Sequence, residues 1–220
     1  MMDLFSIFDP SSSLNLPLNW IMLMIPLLST PLIFWASPSM TKFIWLKLMF
    51  LLYKEFKLTI NLKSNNKNMV ICLTIFSFSL FSNSLSMMPY VFTSTTHLSL
   101  TLMVSLSLWL SFMTFGWFKN TTHMLSHLIP LGTPLPLMPF MIYIELISNL
   151  IRPITLSVRL TANMIAGQLL LSLLSSPSNS LIFVSSIVFM QMLIMLESSV
   201  SFIQSYVMTV LISLYSNEVN

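Results

Sequence analysis

Glu145, Arg152 and Arg159 stand seven residues apart in a chain that is only 7% charged. On an α-helix a spacing of seven drifts by only ~20° per step, so the three make one stripe. Asn149 and Asn163 fall near the same line. Glu197, Ser201, Gln204 and Met208 make a second stripe further along. An arginine at the centre of a membrane helix costs about 2.5–3.5 kcal/mol on insertion scales. Its guanidinium stays protonated at any physiological pH, so it is a fixed charge and not a proton donor. The expected partner of such a charge is a carboxylate, and the expected chemistry is ion or proton handling within a membrane. Asn149 and Ser201 read as polar contacts between helices, and Gln204 as either such a contact or part of the site. Arg152 lies about 10 Å along the axis from Arg159. It could sit near an aqueous edge, and its role stays open.

The elements that must carry these residues are apolar. The 220 residues are 55% hydrophobic, with a mean hydropathy of +0.87. That composition predicts a single all-α membrane domain spanning 1–220. Leu14–Trp35 is a first span, bent by Pro17, Pro26 and Pro31 and ended by Ser37–Ser39. Met40–Leu62 mixes lysines with large apolar residues and predicts an amphipathic helix on the membrane surface, followed by a polar turn over Lys63–Asn68. Met69–Met88 and His97–Phe118 are two further spans. Thr121–Pro136, with three prolines, reads as a loop. Leu137–Ser175 and Leu181–Tyr215 would each be ~50–60 Å long as helices, far beyond an upright span. They predict two strongly tilted helices, or helices broken partway, packed as a hairpin through Ser176–Ser180. Pro153 is a candidate kink. The total is about five membrane-embedded helices and one surface helix.

Several function classes are excluded by what the chain carries. Six of its nine basic residues (Lys42, Lys47, Lys54, Lys57, Lys63, Lys67) lie in one stretch beside a hydrophobic segment. That is a positive-inside flank at a membrane surface, not a nucleic-acid site. The only glycines are Gly116, Gly132 and Gly167, so no phosphate-cradling loop exists and nucleotide hydrolysis by this chain is not expected. His123 and His127 are four apart but have no carboxylate or cysteine near them in sequence, and His97 stands alone, so no metal or cofactor is expected. Cys72, in an apolar run, reads as a small buried hydrophobe. Ser, abundant where Gly and Ala number three each, is expected to serve as the small interface residue. A secondary transporter or respiratory pump subunit would use buried Arg and Glu too, but such folds often show repeats or paired broken helices, and no internal repeat is evident here. Met1–Pro10 holds Asp3 and Asp9 and no basic residue, unlike a transit or signal peptide. The wealth of Met and Phe fits an AT-rich organelle genome.

The segment Val158–Leu170, VRLTANMIAGQLL, strongly resembles the signature of the subunit a (subunit 6) family of F-type ATP synthases. The resemblance continues in LIPLGTPLPLMPFMIYIELIS before it and LESSVSFIQSYVMTVLISLY after it, covering roughly Ser126–Glu218. It implies a proton-translocating stator of the Fo sector, not an enzyme by itself, working beside a rotating ring of c subunits and held by peripheral-stalk and other small Fo subunits. In the family the arginine matching Arg159 faces the c-ring carboxyls, and two aqueous half-channels bring protons in and out. The lysine flank then faces the matrix, with the N-terminus toward the intermembrane space and the C-terminus toward the matrix. Glu145 and Glu218 fall to the matrix outlet, and Glu197 with Gln168 to the inlet. Asn163 and Gln204 line the space around Arg159. Mitochondrial members often carry histidine where this chain has Gln168, and glutamine does not titrate. The expected location is the mitochondrial inner membrane, and the expected gene a mitochondrial one.

Overall fold

Two long helices dominate the fold, and each is continuous. In the computed structural model, residues 4–11, 17–30, 39–59, 66–88, 91–129, 134–175 and 180–219 are described. In chain order the α-helices are α1 (Met24–Ser29), α2 (Met40–Thr59), α3 (Asn66–Ser86), α4 (Leu98–Lys119), α5 (Thr121–His127), α6 (Met138–Leu174) and α7 (Ser180–Val219). There is no strand among the described residues. Helices α6 and α7 have 37 and 40 residues, ~55–60 Å of rise each. Neither is interrupted, so of the two forms expected for these segments the broken one is excluded. Pro153 lies inside α6 and does not end it. In membrane helices, neighbouring helices and local side chains compensate for the hydrogen bond a proline removes.

Four helices are long and apolar enough to cross a membrane: Asn68–Ser86, Leu98–Lys119, Met138–Leu174 and Ser186–Asn217. A shorter apolar stretch, Leu18–Ser29, is a 3-10 turn running into α1. This is the described part of the expected first span. Its flanks, with Pro31 and Ser37–Pro38, lie outside the described residues, as do residues 63–65 of the expected Lys63–Asn68 turn and residues 176–179 of the α6–α7 turn; residues 66–68, expected in the turn, are already helical and open α3. The chain is an all-α membrane protein, as its composition predicts.

One segment differs from expectation. Thr121–His127 forms α5, where the sequence reads as loop. Its seven residues contain neither Pro nor Gly, and the prolines of the segment begin only at Pro130. The backbone N–H of Met124 bonds the carbonyl of Asn120 and starts the turn.

The core lies where α2, α3, α6 and α7 meet. Phe56, Met69, Cys72, Leu156, Leu160, Met208 and Ile212 form one buried cluster. Cys72 is fully buried and unpaired, the small hydrophobe its context predicts. On α2, Trp45, Leu48, Met49, Leu52, Tyr53 and Phe56 are half-buried or buried and form a helical stripe; Lys42 is half-buried too, while Lys47, Lys54 and Lys57 are exposed. On α7, Ser201, Ser205, Thr209, Ser213 and Ser216 form a buried column of small side chains. Each hydroxyl donates to a carbonyl three or four residues back. This satisfies the polar group without water and lets a neighbouring backbone approach, the role small residues have in membrane packing.

Candidate functional site

The two stripes read from the sequence end up on opposing helices. Three contacts set α6 antiparallel to α7. Arg152 lies over the ring of Tyr215, with its Cζ 5.5 Å from the ring centroid. Further along α6, the Asn163 amide donates a 2.6 Å hydrogen bond to Gln204 Oε1. Further still, Gly167 faces Glu197. Numbers rise on one helix as they fall on the other, so the two helices run antiparallel.

Arg159 is exposed on α6, on the same face as Ala162, Asn163 and Ala166. Among the described residues it makes no ion pair. Behind that face the α7 stripe is buried: Glu197, Ser201, Gln204 and Met208 are all at most 8% exposed. A small cavity of about 10 Å³ touches Met87, Asn163, Met164, Glu197, Ser201 and Gln204. That is close to the space of one water molecule. Both carboxylate oxygens of Glu197 are buried without a hydrogen-bond partner among the described residues.

Gly167 explains how so bulky a group fits there. A β-carbon at this position would collide with the Glu197 carboxylate and come within 2.8 Å of its Cγ. Glycine inside a helix costs roughly 1 kcal/mol relative to alanine, so its place here is a matter of packing. Gln168, next in sequence, points to α3. Its Oε1 accepts from the Thr93 hydroxyl at 2.9 Å, and its amide donates to the Ser86 carbonyl at 3.1 Å.

Glu145 sits far from this group, on the first half of α6. It pairs with Arg152 at 3.7 Å. Fourteen residues, ~21 Å of rise, separate it from Arg159. Glu218 lies in the last turn of α7, and its side chain is outside the described residues. The structure therefore gathers Asn163, Gln204 and Glu197 around one small cavity, further along α6 than Arg159, sets Gln168 on the adjoining α3 end, and holds Glu145 apart with Arg152. The side chain of His127 is likewise outside the described residues. His97 packs its ring against Trp20 and Phe92, with centroids 5.2 and 5.3 Å away.

Chain-wide similarity decides the family. The profile of the ATP synthase A chain matches residues 18–217. Proteins called ATP synthase subunit a are similar over the whole length of both chains: 51% identical in Drosophila mauritiana and Drosophila melanogaster, 50% in Aedes aegypti. The chain belongs to the ATP synthase A-chain family. The family match extends well before Ser126, where the motif resemblance begins, and takes in α1 to α4 as well as the hairpin.

Four residues in or next to this group escape sequence reasoning. Gly167 carries a weak signal as one of three glycines, set inside an otherwise strong helix. Thr93 and Ser86 hold Gln168 across more than seventy residues of chain, which no local pattern reveals. Asn83 is fully buried on α3, and neither atom of its amide has a partner among the described residues. The signal there is an amide within the apolar α3, the type of residue that marks a polar pathway in membranes.

Proposed function

We propose that this chain is the proton-translocating stator subunit of the Fo sector, with Arg159 as the fixed charge facing the carboxylates of a c-ring. The observation that carries this reading is the exposure of Arg159. A guanidinium on a membrane helix, exposed and without an ion pair among the described residues, calls for a carboxylate from outside the chain. A passing ring of acidic side chains would supply it. Because arginine keeps its proton, it stabilises the ionised carboxylate opposite and does not relay protons itself. Its charge also blocks a direct proton leak between the two half-channels.

The flanking groups would then carry the proton. Glu197, buried beside a water-sized space and within reach of the Asn163–Gln204 pair, would load the ring from the inlet side. Gln168, bonded to Thr93 and Ser86, would hold the inlet wall without titrating. Glu145 and Glu218 would serve the outlet. The ends of the helices support two opposite sides. The Asn217 amide bonds the Thr59 carbonyl, so the end of α7 lies beside the lysine-rich end of α2. Gln168 meets the opposite end of α3 at Ser86. By the positive-inside rule the lysine end faces the matrix of a mitochondrial inner membrane, and the C-terminus with it, leaving the N-terminus toward the intermembrane space. Each proton crossing 100 mV yields about 2.3 kcal/mol, and several together drive one ATP. The chain itself would be non-catalytic, and its partners would be the c-ring, the peripheral stalk and other small Fo subunits, and lipid.

The test is replacement of Arg159 by alanine in the complete synthase. Proton-driven ATP synthesis should disappear while the complex still assembles. Synthesis at the normal rate would overturn the reading.

A further inference from the structure

We propose that Arg152 is a positioning residue of the outlet path, fixing the Glu145 carboxylate and itself held by the ring of Tyr215. The inference rests on the reading of Glu145 as an outlet group. Its basis is a three-residue arrangement that the role of Arg159 does not use.

The ion pair joins residues seven apart on one helix, with Arg152 Nη2 3.7 Å from Glu145 Oε1. Ordinary pairs on a helix join residues three or four apart. Across nearly two turns the contact forms only if a long side chain runs along the helix axis. Helical side chains lean toward the N-terminus, so Arg152 reaches back to the level of Glu145. The face of Tyr215, on α7, lies against the guanidinium at 5.5 Å and keeps it at that level. Between the two charges Asn149 holds a buried side-chain oxygen without a partner among the described residues. Pro153, one position beyond Arg152, has no N–H to offer the carbonyl of Asn149. The face that carries Glu145, Asn149 and Arg152 is thus polar, as a hydrated path requires.

Stability is a poor explanation for the arrangement. The two side chains are 32% and 42% exposed, and half-exposed pairs contribute little to folding. Both groups are part-exposed and within reach of water. What the arrangement provides is a fixed place for a carboxylate at one end of α6, beside a charge that cannot leave.

The experiment uses the complete synthase in sealed vesicles, with ATP synthesis per assembled complex as the readout. The variants are Arg152→Gln, Arg152→Lys, Glu145→Gln and the Arg152→Gln/Glu145→Gln pair. Arg152→Gln should slow synthesis several-fold at an unchanged amount of complex, and Arg152→Lys should recover most of the rate. In the double variant the rate should equal that of Glu145→Gln alone, since Arg152 acts through that carboxylate. A full rate in Arg152→Gln, a loss explained entirely by less assembled complex, or a double variant slower by the product of the single effects would each overturn the proposal. A full rate in Glu145→Gln, a variant that leaves Arg152 in place, would instead remove the outlet reading beneath it.

Discussion

The carboxylate of Glu197 on α7 occupies the space that a side chain on Gly167 of α6 would take. The most buried acid of the site is thus seated on the one glycine of the hairpin, one residue before Gln168 and four after Asn163. The close approach of the helices and the position of the acid are a single feature.

Gly167→Ala should therefore separate folding from function. Alanine favours the helix by roughly 1 kcal/mol, and the displaced group is a flexible side chain, so stability should hardly fall. The Glu197 carboxylate must move, and proton flux through the assembled complex should drop several-fold. Thermal stability of the purified complex and proton uptake by vesicles, measured on the same preparation, check both halves. A flux equal to that of the unaltered chain would show that the seat is irrelevant.

Glu197→Gln keeps the shape and removes the acid. Gln donates and accepts hydrogen bonds but does not titrate in this range. Proton-driven synthesis should fall strongly, with no comparable fall in the amount of complex. Unchanged flux in reconstituted vesicles would take Glu197 off the path.

Both stripes were legible in the sequence, because a period of seven projects onto one helix face whatever surrounds it. So were the two long helices and the buried Cys72. What the sequence could not supply was which face meets which. The antiparallel match of Arg152 to Tyr215, Asn163 to Gln204 and Gly167 to Glu197 depends on where the chain turns after α6. The anchoring of Gln168 by Thr93 and Ser86 depends on a fold contact that no local pattern encodes. Helix α5 was missed for a simpler reason: the prolines that mark the segment as loop begin three residues after the helix ends.

Asn163→Ala should cost stability as well as flux. It leaves the Gln204 oxygen, on a residue 8% exposed, without its 2.6 Å donor. An unsatisfied buried acceptor costs about 1–3 kcal/mol. Thermal disassembly of the complex should shift downward by several degrees. No shift would mean that water replaces the amide without loss.

Gln168→Met distinguishes a wall from a relay. The variant loses the bonds to Thr93 and Ser86 but, like glutamine, carries no titrating group. Stability should decline by about 1–3 kcal/mol for the broken pair. Synthesis per remaining complex should persist at more than half its rate. Complete loss of synthesis with full assembly would assign Gln168 a direct part in proton transfer.

The decisive measurement is ATP synthesis driven by an imposed proton gradient in vesicles bearing the Arg159→Ala synthase, with the amount of assembled complex determined in parallel. The expected result is a fully assembled complex that makes no ATP. Retained gradient-driven synthesis would contradict the central role of Arg159.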